Sequence, residues 1–147
     1  MVYKEEIQNI LSVPDDYYLA QYISADFYMG KGLSVKLNKL FDIKNNLTEK
    51  YGDWLLMWDE FPDHRGVCLL DGRVFNLVIK RKYFSVPSLG TVKAALENMK
   101  TVAIHNHVNK IAITKLDPKE GIPWENISNV IREVFSDLDI EIMVCSE

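Results

Sequence analysis

Six short stretches of this chain, residues 17–23, 54–58, 67–70, 74–79, 111–113 and 140–145, are apolar at almost every consecutive position. Successive side chains of a strand point to opposite faces, so a strand built from such a stretch must be covered on both faces. Between these stretches the period changes. Leu33, Leu37, Leu40 and Phe41 fall at i, i+4, i+7 and i+8, with Lys36 and Lys39 opposite them, which predicts an amphipathic helix entered through Gly30-Lys31-Gly32. A second helix, capped by Ser88, turns Val92, Ala95, Leu96 and Met99 inward and runs out over residues 105–109. A third keeps helical spacing through Trp124, Ile127, Val130, Ile131, Val134, Phe135 and Leu138. Residues 45–53 are polar and read as a loop with a short helical turn. Asp71-Gly72 joins two apolar stretches and signals a hairpin, because these residues suit the positive φ angles of a two-residue turn. The predicted order is strand, helix, three strands, helix, strand, helix, strand, with a further strand at residues 2–5 in front. Helices interleaved with strands covered on both faces imply an α/β fold, a three-layer α/β/α sandwich whose central sheet the hairpin makes mixed.

Composition narrows the class of function. At 147 residues, and with roughly 100 to 200 residues per domain, residues 1–147 are expected to form one domain. With 48% hydrophobic and 11% aromatic residues, the chain has enough apolar material to fold against its own entropy. Seventeen Lys and Arg against 21 Asp and Glu leave a net charge of −4, which excludes bulk nucleic-acid binding through a basic surface. Any phosphate site must be local. Glu5, Glu6 and Gln8 stand where a secretory signal would need an apolar run, and no stretch reaches the roughly 18 apolar residues of a membrane span. A cytoplasmic monomer without a membrane partner is expected. Cys68 and Cys145 each sit inside an apolar run, as buried thiols of a reducing compartment do. His64, His105 and His107 have no CxxC partner or HExxH helix, so they read as structural or solvated, and neither a metal nor a cofactor is expected.

In α/β sheets ligands bind beyond the C-terminal ends of the strands. Two loops lie there. Residues 24–32, Ser24-Ala25-Asp26-Phe27-Tyr28-Met29-Gly30-Lys31-Gly32, can aim backbone N–H groups at an anion while the following helix adds its positive end; a plain helix entry has the same look. Residues 115–123 occupy the equivalent place before the last helix, although Pro118 removes a donor and Gly121 is the single glycine.

Those loops, with the segments around them, resemble the macrodomain family, which binds ADP-ribose. The resemblance runs through Leu19-Ala20, Ile23-Ser24-Ala25-Asp26, Met29-Gly30-Lys31-Gly32 and Leu40-Phe41, and continues in Gly72-Arg73, Leu77-Val78-Ile79-Lys80-Arg81, Pro87-Ser88, Leu96-Glu97-Asn98-Met99-Lys100 and Trp124-Glu125-Asn126-Ile127. These are similar to the branch that contains the terminal ADP-ribose protein glycohydrolase. Gln8-Asn9-Ile10-Leu11 and Gly121-Ile122-Pro123-Trp124 are also similar to the yeast ADP-ribose 1″-phosphate phosphatase.

The resemblance implies a role for particular residues. Asn9 falls where many macrodomains have an Asp that bonds the adenine amino group, and Ile10 would offer its backbone beside it. Ser24 and the segment Met29, Gly30, Lys31, Gly32 and Leu33 match the loop that wraps the distal ribose and diphosphate. Lys80 matches the lysine that the glycohydrolase branch uses as a nucleophile toward the anomeric carbon, which requires its neutral amine; Arg81 or Lys82 is the neighbouring cation that would favour it. A solvated strand end is the alternative for Lys80. The departures fall in the second loop. Leu116-Asp117-Pro118-Lys119-Glu120-Gly121 replaces the family's Gly-x-Gly loop, one residue shorter, and the catalytic Asp that follows it is missing. Glu120 is the candidate replacement, Asp117, Lys119 and Gly121 are candidate ligand contacts, and Cys145 stands where the branch has an aromatic residue. Three readings remain open at this point: a hydrolase of ADP-ribosyl esters or of ADP-ribose 1″-phosphate, a non-catalytic module that binds ADP-ribose or ADP-ribosylated macromolecules, and an interaction domain whose exposed patch would be Trp58, Phe61, Tyr83 and Phe84.

Overall fold

The computed structural model describes residues 1–147. One sheet is formed by β1 (Val2–Ile7), β2 (Tyr18–Ser24), β3 (Val67–Asp71), β4 (Val74–Lys80), β5 (Lys110–Thr114) and β6 (Glu141–Ser146). The strands lie in the order β1-β6-β5-β2-β4-β3 and are parallel except for the β3–β4 hairpin. Alternate residues of the strands feed two separate cores. Phe75, Leu77, Ile79, Ile111, Ile113, Ile142 and Val144 pack with Val92, Leu96 and Met99 of α4 (Leu89–His105) and with Ile127 and Ile131 of α5 (Trp124–Val134). Leu19, Ile23, Val74, Val78, Ala112 and Met143 pack on the other face against Leu37 of α1 (Leu33–Phe41), Ile43 and Leu47 of α2 (Ile43–Tyr51), and Trp54 and Trp58 of α3 (Trp54–Glu60). This is a three-layer α/β/α sandwich with a mixed central sheet. Each fully buried Leu or Ile in it contributes roughly 1.5 to 3 kcal/mol.

Two expectations are corrected. Residues 54–58 are the first turns of α3 and not a strand: Trp54 and Trp58 are buried four residues apart, Leu56 between them is 51% exposed, and the Asp53 side chain accepts the Leu56 N–H at 3.2 Å as a cap. Residues 45–53, read as a loop, lie mostly in α2, which buries Ile43 and Leu47 one helical turn apart. A five-residue apolar run does not distinguish strand from helix by composition, and here the i, i+4 burial decides. The hairpin is present, but Asp71 and Val74 are its closing pair. Its loop residues are therefore Gly72 and Arg73, and of these only Gly72 has positive φ, at 54°.

Parallel strands place their C-terminal ends along one rim. Ile7, Ser146, Thr114, Ser24 and Lys80 end there. A register irregularity after Ile23 brings Ser24 alongside Lys80, and the Ala25 N–H closes onto the Lys80 carbonyl at 2.9 Å. Such a bulge re-aims the residues at a strand end.

Candidate functional site

A cleft runs along this rim as two hollows that share Gly32, Leu33, Thr114 and Lys115. The first, about 670 Å³, is bounded by Asn9, Ile10 and Leu11 after β1 and by Cys145 at the end of β6. The second, about 420 Å³, is bounded by Ser24, Tyr28 and Lys31 after β2, by Lys80 and Tyr83 after β4, and by Asp117, Lys119 and Glu120 after β5. The entry of α1 lies between them and presents the unpaired N–H groups of a helix N-terminus.

At the first hollow the Asn9 side-chain oxygen accepts the Leu11 N–H at 2.9 Å and caps the short turn Ile10–Ser12. This leaves the Asn9 amide N–H₂ and one oxygen lone pair for other partners. Ile10 and Cys145 are 4% and 3% exposed. Burial, followed by the charge of Glu6, pushes the Cys145 thiol up to about 11, so it stays protonated at neutral pH and lines the cleft as a small apolar group.

The second hollow holds the ionisable groups. Lys80 Nζ donates to Glu120 Oε1 at 2.6 Å, with the two side chains only 11% and 21% exposed. Lys80 is therefore an enclosed, paired lysine and not a solvated strand end. Its neighbours face elsewhere: Arg81 makes a two-pronged pair with Asp59 at 2.7 and 2.9 Å, and Lys82 Nζ stands 5.8 Å from the Phe84 ring centre. The group beside Lys80 is a carboxylate rather than the cation that sequence suggested. Glu120 sits in the turn Pro118–Glu120, which Asp117 caps by accepting the Lys119 N–H at 2.9 Å and which Gly121 ends in the left-handed region at φ 85°.

The first loop is braced across the cleft. The buried Ser24 hydroxyl donates to Asp26, whose carboxylate also accepts the N–H groups of Tyr28 and Tyr83, each at 3.2 Å. The Tyr28 and Tyr83 rings stack at 4.1 Å and form one wall of the hollow. A Cβ on Gly30 would come within 2.5 Å of the Tyr28 ring, so Gly30 serves this close approach. Two candidates face away from the cleft: Met29 is 7% exposed within the α1–α3 core, and Gly121 borders a smaller hollow beside Trp124. The aromatic patch is also divided, since Trp58 is buried and Tyr83 is engaged with Tyr28.

Several lining residues stand out only in the folded structure. Tyr22 donates to the Thr114 carbonyl at 2.8 Å and ties β2 to the end of β5, and burial holds its hydroxyl far above the ordinary range. Gln21 is 1% exposed and Ser34 bonds it at 2.8 Å. A glutamine inside an apolar strand was the signal available for this second feature.

No family model matches the chain. In sequence it is similar to the ADP-ribose glycohydrolase OARD1 of Homo sapiens, 29% identical over 138 residues that cover 92% of this chain and 86% of that protein. In structure it is similar to the macrodomain of Thermus aquaticus DarG, with a TM-score of 0.79 and 19% identity over 99% of both chains. The macrodomain of Mycobacterium tuberculosis DarG is similar at a TM-score of 0.80 and 15% identity, over 99% of this chain and 98% of that one.

Proposed function

Since this chain has the macrodomain fold, we propose that it binds ADP-ribose along the rim cleft and hydrolyses ADP-ribosyl esters of acidic side chains. The observation that carries the catalytic part is the Lys80–Glu120 contact of 2.6 Å in the wall of the second hollow. The adenosine end fits the Asn9 side of the cleft and the terminal ribose fits the Lys80 side, with the diphosphate over the start of α1. Glycine at position 32 lets backbone approach the ligand, and the helix end offers N–H groups to an anion.

For hydrolysis, Glu120 takes a proton from the Lys80 ammonium. The free amine then forms a C–N bond at the anomeric carbon while the C–O bond to the acyl group breaks, and the carboxylate leaves with the electron pair. Water then attacks the anomeric carbon as the C–N bond breaks and the amine leaves with the electron pair; the water oxygen becomes the ribose hydroxyl, its surplus proton passes to solvent, and the proton held by Glu120 returns to the freed lysine amine. Both carriers are in hydrogen-bond contact before substrate arrives, as proton transfer requires. The chain works as a monomer in this reading, because one chain supplies every wall of the cleft. No helix is long and apolar enough to cross a membrane, and two free buried thiols suit a cytoplasmic setting.

The test is release of ADP-ribose from a glutamate-linked ADP-ribosylated protein. Lys80→Ala abolishes release while ADP-ribose still binds, and Lys80→Arg fails equally because a guanidinium stays protonated. Glu120→Gln keeps the shape of the side chain and lowers kcat by about 10² to 10⁴. Release from ADP-ribose 1″-phosphate alone would instead make the chain a phosphatase. Tight binding with no release from either substrate would make it a binding module.

A further inference from the structure

At the centre of the α1–α3 face, otherwise apolar, two buried polar residues lie directly opposite each other in neighbouring strands: Gln21 of β2, 1% exposed, and Asn76 of β4, fully buried. The direction of their hydrogen bonds is fixed from below. Asn76 Nδ2 donates to the backbone carbonyls of Leu69 at 3.0 Å and Val74 at 3.2 Å. Carbonyls only accept, and a flipped amide would set oxygen against oxygen, so Asn76 Oδ1 must face Gln21. It accepts Gln21 Nε2 at 2.8 Å. Gln21 Oε1 is thereby turned outward, where it accepts the Ser34 hydroxyl at 2.8 Å. The single hydroxyl proton of Ser34 is committed to the protein interior, and only its lone pairs remain for the cleft, whose second hollow Ser34 lines.

We infer that Ser34 is a specificity-determining residue that accepts a hydroxyl of the ligand's terminal sugar and disfavours a phosphoryl oxygen at that spot, with Gln21 and Asn76 as the positioning residues that impose this polarity. The inference rests on the ADP-ribose reading of the cleft. The start of α1 attracts anions through its N–H groups, so without this device a phosphate could settle anywhere along the helix entry. A lone pair aimed at a phosphoryl oxygen repels it, whereas a sugar hydroxyl has a proton to give. Ser34 thus sorts sugar from phosphate within one cleft.

Calorimetric titration tests this with ADP-ribose, with two analogues that each lack one terminal-ribose hydroxyl, with ADP-ribose 1″-phosphate, and with ADP. Ser34→Ala should bind ADP-ribose about threefold to tenfold more weakly, the loss of one hydrogen bond. For one of the analogues, wild type and Ser34→Ala should bind equally, because the partner hydroxyl is already gone. ADP, which has no terminal ribose, should also bind both proteins equally. The paired change Gln21→Met with Asn76→Leu removes the buried chain without stranding either member. It frees the Ser34 proton and should narrow the preference for ADP-ribose over ADP-ribose 1″-phosphate. Should the paired variant fail to fold, the Ser34→Ala and analogue comparison decides alone. Unchanged ADP-ribose affinity in Ser34→Ala, or an equal loss for every ligand, overturns the inference. Wild type that binds none of these nucleotides overturns the ADP-ribose reading itself, and that result is distinct from either.

Discussion

Gly32 holds φ 65° and ψ −146° at the cap of α1, a combination that residues with a Cβ scarcely adopt. A Cβ there would meet nothing within 4 Å, so the cost of substitution is backbone strain and not collision. Gly32→Ala should therefore cost about 1 to 3 kcal/mol in a denaturant melt. It should also weaken ADP-ribose, since relaxing the strain moves the first N–H groups of α1. Gly30 is the opposite case, with a Cβ placed 2.5 Å from the Tyr28 ring. There the ring must leave its stack on Tyr83, so Gly30→Ala should act on the cleft wall, seen as lost affinity with little loss of stability. Asn9 combines a structural and a binding role. Asn9→Ala removes the cap on the Leu11 N–H at a cost of about 0.5 to 2 kcal/mol, whereas Asn9→Asp retains it. If the remaining oxygen lone pair of Asn9 accepts the adenine amino group, Asn9→Asp should keep adenine-nucleotide binding at unchanged melting temperature, whereas titration of Asn9→Ala should show weaker binding. Unchanged binding in Asn9→Ala would leave Asn9 with the cap alone.

Helix α3 shows what the sequence could and could not reveal. The strands at residues 74–80 and 110–114, the hairpin and the capped helix after Ser88 were legible because period, turn chemistry and cap agree in each. Trp54 and Trp58 misled because the run 54–58 is apolar throughout, and only the packed neighbours show that Leu56 faces water. In the site, Lys80 and Glu120 were each legible as candidates, but their contact spans 40 residues of chain, and no local pattern marks it. The Ser34–Gln21–Asn76 chain was hidden for the same reason, since its members belong to α1, β2 and β4. Trp54 also leaves its indole N–H buried without a partner, a cost of about 1 to 3 kcal/mol that the rest of the side chain must outweigh. Trp54→Phe removes that N–H together with part of the ring, so the two effects offset and stability should change by less than about 1 kcal/mol. Trp54→Ala, which leaves a cavity, should cost about 3 to 5 kcal/mol. A loss in Trp54→Phe well above about 1 kcal/mol, though still below that of Trp54→Ala, would mean that the stranded N–H costs little.

The molecule as a whole is tied across its sequence by carboxylates on its surface. Glu5 of β1 accepts the Tyr3 hydroxyl and the Trp124 indole N–H and faces Lys115. Asp16 pairs with Lys110, Asp59 with Arg81, and Asp137 with Lys100. Each of the four is held below its ordinary range, in Glu5 chiefly by the Tyr3 hydroxyl and in the three aspartates chiefly by the bond from the paired cation. A carboxylate lowered in the folded state binds its proton more readily in the unfolded chain, so it adds stability that is complete above the unfolded value and disappears as pH falls through the folded one. The ordinary values are 4.5 for Glu and 3.8 for Asp, so these groups should leave the melting temperature unaffected from neutrality down to about 4.5. Below that they should lower it progressively. All four are exposed, so each contribution is small and partly screened by salt, and the effect is visible only in their sum. The combined variant Glu5→Gln, Asp16→Asn, Asp59→Asn and Asp137→Asn should melt somewhat lower than wild type at neutral pH and approach it in acid, because the amides do not titrate. Melting curves of both proteins at matched ionic strength across this range test the assignment. An acid limb equally steep in both proteins would transfer the acid sensitivity to carboxylates outside these four.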